Sequence, residues 1–119
     1  MKAFLVGRYN GMKCAIVGLK RLVKEHSIIA QLCTAVFFIA AGFYFGISRI
    51  EWMFQFVCFG LVLSVEGLNT AVEELCNFVH PERHPKIGTI KDIGAGAVLC
   101  TGIFSFIIMV IIYYPYIFN

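Results

Sequence analysis

The sequence predicts an all-α membrane protein, in which one N-terminal surface helix and three transmembrane helices form a single domain over residues 1–119. Two observations support this fold class. First, 60% of the residues are hydrophobic and only 14% are charged, and a soluble domain of this size can bury only part of that apolar surface. Second, the chain contains three apolar runs, each close to the roughly 20 residues that a helix needs to cross a bilayer.

The surface helix is predicted over residues 10–26, which form an amphipathic pattern. Its apolar residues share one helical face, and its lysines and arginines lie largely elsewhere. A basic amphipathic helix binds well to the surface of an anionic membrane. The alternative is a helix packed on a soluble core, which suits this chain less because little soluble core is available.

The transmembrane helices are predicted at about residues 28–46, 53–79 and 90–114. Gly42 and Gly46 form a GxxxG pair in the first of them, a spacing that lets another helix approach closely. Pro81 and Pro85 cannot continue the second helix, which we expect to end at Val79.

The third transmembrane helix is expected to open with a capping box, because Thr89 and Asp92 match the Ser/Thr-x-x-Asp/Glu pattern. Lys91 then lies in the first turn, near free backbone N–H groups. That position favours either an anion site or an anchor at the membrane interface.

The basic residues predict the orientation. Nine of the ten lysines and arginines lie in the N-terminal segment or in the 80–92 loop. Both segments fall on one side of the membrane in this topology, so the positive-inside rule makes that side cytoplasmic. The net charge of +3 is modest, and we expect no nucleic-acid partner. The five cysteines include no CxxC pair, and this argues against both a disulfide framework and a zinc site.

An acidic stripe, formed by Glu66, Asn69 and Glu73, interrupts the second transmembrane helix. The spacing i, i+3, i+7 puts all three residues on one helical face. Carboxylates at membrane depth are costly and persist where they face a protein interior, a cavity or a ligand. Two of them on one face suit Mg²⁺, which takes one or two carboxylates together with substrate phosphates. The alternative role is to bridge helices by hydrogen bonds.

Two further groups of polar residues lie near the predicted cytoplasmic side. Glu25 either pairs with Arg21 one helical turn earlier or adds a third carboxylate to the stripe. His80, Glu82 and His84 lack the HExxH spacing, so we interpret their loop as polar without a metal of its own. The chain also has no P-loop motif.

The segments Glu66-Gly-Leu-Asn69-Thr-Ala-Val-Glu73 and Gly88-Thr-Ile-Lys91-Asp92, with His84 between them, resemble the prokaryotic diacylglycerol kinase family, which includes the undecaprenol kinases. The resemblance implies an enzyme that phosphorylates a lipid hydroxyl with MgATP, the lipid being diacylglycerol or undecaprenol. It also implies a homotrimer with sites shared between subunits, in the bacterial cytoplasmic (inner) membrane.

The resemblance further implies roles for individual residues. Glu66 matches the general base, and Glu25 and Glu73 match the two glutamates that bind the metal ion. Gln31 departs from the family pattern, because many relatives have histidine there. The positions that match nucleotide contacts are Arg8, Glu25, Asn69, Glu73, Glu82, Arg83, His84, Lys91 and Asp92.

Two other classes of protein remain open at this point. A small proton-coupled transporter would use Glu66 as its carrier carboxylate, but it leaves Glu73 and the Lys91-Asp92 pair unexplained. A membrane scaffold that associates through the GxxxG pair leaves the whole acidic stripe unexplained.

Overall fold

The computed structural model describes all 119 residues, and every regular element in it is a helix. The four helices are α1 (Lys2–Leu22), α2 (His26–Phe45), α3 (Arg49–Val79) and α4 (Pro85–Phe118). The last three are long and apolar enough to cross a membrane. The predicted all-helical class is therefore confirmed, and each of the three predicted transmembrane segments corresponds to one of these long apolar helices.

Helix α3 is antiparallel to both of its neighbours. Near its start, Gln55 is hydrogen-bonded to Phe38 of α2 and to Tyr113 of α4. Near its end, Asn77 accepts a hydrogen bond from Lys91 of α4. The end of the bundle that carries residues 80–84 is called the basic end below, and the end that carries Tyr113 is called the tyrosine end.

Five helix boundaries differ from the prediction by four or more residues, and three of them belong to α1 and α3. Helix α1 begins at Lys2 rather than at residue 10, and it ends at Leu22 rather than at 26. Helix α3 begins at Arg49 rather than at 53, because Ser48 and Glu51 form a capping box. In that box the Ser48 N–H donates to Glu51 Oε2 at 2.6 Å, which satisfies an otherwise free backbone donor. The predicted end of this helix at Val79 is confirmed.

Helix α4 begins at Pro85, five residues before the predicted start at 90, and it ends at Phe118 rather than at 114. Proline suits the first helical position, and His84 caps the helix by accepting a hydrogen bond from the Lys86 N–H at 3.1 Å. Thr89 donates instead to the Pro85 carbonyl at 3.0 Å from within the helix. The predicted capping box of Thr89 and Asp92 is therefore wrong.

The GxxxG pair is explained within a single chain. A Cβ atom at Gly42 would lie 2.7 Å from Cη2 of Trp52, so a residue without a side chain is what admits the indole of α3. Gly46 has φ of +64° and ends α2 in the left-handed conformation, which glycine adopts without strain. The helix whose close approach this pair predicted is therefore α3 of the same chain, which approaches at Gly42.

The buried core is small and lies towards the tyrosine end. Only 12 of the 119 residues are buried, and the core cluster consists of Ile47, Cys58, Met109, Ile112 and Tyr113. Most of the large apolar side chains on α2, α3 and α4 are exposed. Such a surface is stable when lipid or another apolar surface covers it.

Helix α1 stands apart from the bundle and has no buried residue. Its last residue, Leu22, is half-buried against α3, where a Cβ added to Gly67 would lie 3.0 Å from Leu22 Cδ2. The molecule extends over 53 × 48 × 22 Å. Packed helices lie roughly 8–10 Å apart, so a bundle of three helices is too narrow to account for the extent of 48 Å. Helix α1 therefore projects sideways, while its place on a membrane surface stays a prediction.

Candidate functional site

The acidic stripe lies on the face of α3 that its spacing predicts. Glu66 and Asn69 are each only 8% exposed, and Glu73 is exposed. Asn69 Nδ2 donates a hydrogen bond to Glu73 Oε1 at 3.4 Å. The stripe therefore runs from the interior of the bundle to the open surface of the basic end.

Gln31 of α2 reaches the stripe, although sequence reasoning did not include it among the site residues. Its Nε2 atom donates to Glu66 Oε2 at 3.4 Å. A signal was present, because an amide is rare in an uncharged membrane-spanning run and needs a partner there. Its partner could not be named, because α2 and α3 each have several faces.

Two acceptor atoms in this cluster are buried and have no hydrogen-bond partner, namely Gln31 Oε1 and Asn69 Oδ1. A buried polar atom without a partner costs about 1–3 kcal/mol, so native proteins rarely keep one without a reason. Each of these oxygens has the capacity to accept a hydrogen bond from a donor that reaches it.

Three helices meet α3 around the stripe. Asn69 Oδ1 lies so close to the backbone of Gly94 in α4 that a Cβ atom at Gly94 would clash with it. Gln31 approaches from α2, and Leu22 at the end of α1 packs on Gly67, next to Glu66. The chain therefore encloses the buried half of the stripe and leaves its other half open.

Glu25 lies in the turn between α1 and α2, where it is exposed and precedes the first residue of α2. The predicted helical pair with Arg21 is wrong, because α1 has already ended. The hydrogen bond between Gln31 and Glu66 puts these two residues at the same depth in the bundle. Along α2, Glu25 lies roughly 9 Å from Gln31, and along α3, Glu73 lies roughly 10.5 Å from Glu66, both towards the basic end. Glu25 and Glu73 are therefore at about the same depth at the basic end.

A polar cleft of about 490 Å³ lies at the basic end, between the end of α3 and the start of α4. It brings together four residues that the resemblance assigns to the nucleotide, Glu82, Arg83, His84 and Lys91. Asn77 also lines the cleft, and sequence reasoning missed it. Lys91 lies in the second turn of α4 rather than in the first, because that helix begins at Pro85.

Five of the nine predicted nucleotide contacts do not line this cleft. Three of them, Glu25, Asn69 and Glu73, are described above, and the other two are Asp92 and Arg8. Asp92 is exposed on α4. Arg8 is exposed on α1, with its guanidinium carbon 5.6 Å from the centroid of the Phe4 ring. The structure gathers no three His, Cys, Asp or Glu side chains around a common point.

An apolar cavity of about 230 Å³ lies among α2, α3 and α4. Its polar lining atoms come from Gln31, Thr34 and Ser105, and most of the remaining lining is aliphatic or aromatic. Gln31 thus lines the cavity and is hydrogen-bonded to Glu66. The buried carboxylate is in this way connected to a space that suits an apolar ligand.

Comparisons with known proteins agree with the resemblance. Residues 13–113 match the family described as prokaryotic diacylglycerol kinase. The chain is 39% identical over 74 residues to the undecaprenol kinase of Bacillus subtilis, an alignment that covers 62% of this chain and 60% of that protein. It is 32% identical over 90 residues to the diacylglycerol kinase of Haemophilus influenzae, with 75% and 76% covered. For the diacylglycerol kinase of a Sinorhizobium species, the identity is 33% over 87 residues, with 70% and 61% covered.

Proposed function

Because the chain belongs to the prokaryotic diacylglycerol kinase family, we propose that it transfers the γ-phosphoryl group of ATP to the hydroxyl group of a membrane lipid. The observation that carries this proposal is the position of Glu66. Its carboxylate is buried, it is bonded to a residue that lines an apolar cavity, and the stripe leads from it to the open basic end.

Glu66 acts as the general base in this proposal. Its carboxylate takes the proton of the lipid hydroxyl, the lipid oxygen forms a bond to the γ-phosphorus, and the bond from that phosphorus to the bridging oxygen breaks to release ADP. Gln31 donates to Glu66 Oε2, which orients the carboxylate and leaves Oε1 to face the hydroxyl. Phosphoryl transfer needs little covalent chemistry from a protein beyond such positioning.

The polar cleft binds the nucleotide in this proposal. Arg83 and Lys91 supply positive charge for the phosphates, while Glu82 and His84 offer polar atoms to the nucleoside. Asp92 and Arg8 stay proposed contacts from the resemblance. The sideways projection of α1 from its own bundle supports a role for Arg8 in a neighbouring subunit of the proposed homotrimer.

Glu25 and Glu73 would hold a Mg²⁺ ion in this proposal, because the carboxylate oxygens of both residues are the kind of ligand that fits such an ion. Both carboxylates are exposed at about the same depth. Asn69 Nδ2 donates to Glu73 Oε1, which orients that carboxylate. Hard oxygen ligands are what Mg²⁺ prefers, and it takes further ligands from phosphates and water. When bound, such an ion neutralises charge on the β- and γ-phosphates.

The acceptor is diacylglycerol or undecaprenol, the lipids that the names of the relatives indicate. The apolar cavity beside Gln31 holds the part of the lipid next to its hydroxyl group. We place the protein in the bacterial cytoplasmic membrane as a homotrimer, with the N-terminus and the 80–92 segment cytoplasmic. The concentration of lysine and arginine in these two segments supports that orientation.

The test uses protein purified in detergent, with MgATP and with diacylglycerol and undecaprenol in parallel reactions. Wild type is expected to phosphorylate one lipid in a magnesium-dependent reaction, and Glu66→Gln is expected to abolish turnover. Glu74→Gln, which alters an exposed carboxylate outside the proposed site, should retain it. Folded wild-type protein without activity on either lipid would contradict the proposal and favour the transporter, for which proton flux would then be measured.

A further inference from the structure

Lys91 is held by a single short contact from α3. Its Nζ atom donates to Asn77 Oδ1 at 2.7 Å, a length typical of a hydrogen bond from a charged donor. Lys91 is half-buried, and both residues line the polar cleft. This contact connects the end of α3 to the second turn of α4.

Asn77 continues the acidic stripe by one helical turn. It follows Glu66 by 11 residues, and at about 100° per residue this places it within roughly 20° of the same face of α3. Glu73 lies four residues before it on that face. The stripe is therefore longer than its three predicted members, and its last member contacts a cation instead of another α3 residue.

The chemistry of the pair suits a phosphate site. A lysine ammonium is a point charge on a flexible stem, so it binds a phosphate well only when the stem is held. Asn77 occupies one of the three ammonium donors and leaves two. Because the amide is neutral, the positive charge is not cancelled, as it would be in part by a carboxylate.

We propose that Asn77 is a positioning residue that fixes the Lys91 ammonium in the cleft for the phosphates of the nucleotide, an inference that rests on the proposed function. Asn77 acts through Lys91 and does not itself need to touch the nucleotide. Its loss should therefore matter only while Lys91 is present.

The experiment compares wild type, Asn77→Ala, Lys91→Ala, the double variant and Asn77→Asp. It measures kcat, the KM for ATP, and the binding of MgATP by calorimetry. Asn77→Ala is expected to lower kcat/KM for ATP about tenfold, as for the loss of one hydrogen bond to a charged group. The double variant should be no less active than Lys91→Ala. Asn77→Asp keeps an acceptor oxygen at the same place but cancels part of the charge of Lys91, so its kcat/KM for ATP should fall by less than the tenfold loss of Asn77→Ala.

Glu74→Gln is the matched control, since Glu74 is exposed near the same end of α3 and lies outside the site. The inference is overturned if Asn77→Ala retains the wild-type kcat/KM for ATP, or if the effects of Asn77→Ala and Lys91→Ala multiply in the double variant. It is also overturned if Asn77→Asp is as impaired as Asn77→Ala. Wild type that neither binds MgATP nor turns over would instead contradict the proposed function itself. Elution volume and helix content establish that each variant is folded.

Discussion

Two polar clusters lie within this mainly apolar bundle, and they differ in how fully their hydrogen bonds are satisfied. At the tyrosine end, the Tyr113 hydroxyl donates to Gln55 Oε1 at 2.7 Å, and Gln55 Nε2 donates to the Phe38 carbonyl at 3.2 Å. Gln55 is completely buried, and each polar atom of its side chain has a partner. At the acidic stripe, the two side-chain contacts of Glu66 and Asn69 are both 3.4 Å long.

The two clusters also differ in whether they contain buried oxygen atoms without a hydrogen-bond partner. Both buried side-chain acceptors without a partner, Gln31 Oε1 and Asn69 Oδ1, belong to the acidic stripe cluster. The tyrosine end includes a second satisfied group, in which Glu51 Oε2 accepts from Tyr116 at 2.8 Å and from the Ser48 N–H at 2.6 Å. We infer that the cluster at the tyrosine end stabilises the helix packing, whereas the stripe keeps bonding capacity for a ligand.

The largest effect is expected when the carboxylate of Glu66, at the buried end of the acidic stripe, is removed. Glu66→Gln removes the only buried carboxylate while it retains the size of the side chain. We expect kcat to fall by a factor of about 10²–10⁴, the usual contribution of a general base. Stability should not fall, because a neutral amide is cheaper to bury than a charge. Lipid phosphorylation and thermal unfolding of the same preparation check both parts, and substantial turnover by the variant would contradict the role of Glu66.

The next largest effect is expected when the hydrogen-bonded cluster at the tyrosine end is disrupted. Gln55→Leu removes the hydrogen bonds of Gln55 to Tyr113 and to Phe38. The Tyr113 hydroxyl still has the Phe38 carbonyl as an acceptor at 2.9 Å, so we expect the free energy of unfolding to fall by about 2 kcal/mol, at roughly 1 kcal/mol for each lost bond. Turnover per folded molecule should stay near the wild-type value, because Gln55 is remote from the stripe. Unfolding in denaturant, followed by circular dichroism, measures the stability. A variant that is equally stable but less active would reverse the roles given to the two clusters.

A smaller effect is expected where the stripe meets α2. Gln31→Leu removes the hydrogen bond to Glu66 together with one unpartnered oxygen. We expect kcat to fall about tenfold, which corresponds to about 1.4 kcal/mol, while stability is unchanged or higher. Measuring kcat and the unfolding midpoint side by side separates these outcomes. Lower stability with unchanged kcat would show that Gln31 is a structural residue.

The smallest effect concerns the start of α3. Ser48→Ala removes the hydroxyl that accepts from the Glu51 N–H at 3.3 Å, and the loss of such a cap costs about 0.5–2 kcal/mol. We expect a value near the lower limit, because Ser48 is exposed, and no change in kcat. Denaturant unfolding compares the variant with wild type. A loss of activity would mean that the tyrosine end also serves the reaction.

Features encoded within one helix or one turn were predictable from the sequence. The three apolar runs predicted the three helices that are long and apolar enough to cross a membrane, and Pro81 predicted the end of α3 at Val79. The helical period predicted that Glu66, Asn69 and Glu73 share one face. The start of α4 was missed, because the Thr89 and Asp92 pattern looked like a cap, while the actual cap, His84, is less characteristic of that position.

Contacts between helices were decided by the tertiary structure alone. The partner of Gln31, the reach of Lys91 to Asn77 and the close approach of Asn69 to Gly94 all depend on the rotation and register of antiparallel helices. A hydrophobic run determines that a helix crosses the membrane, but in a chain that is apolar on nearly every face it does not determine which face meets a neighbour. Packing between particular side chains makes that choice, and it is what turns three polar residues on α3 into a site shared with α2 and α4.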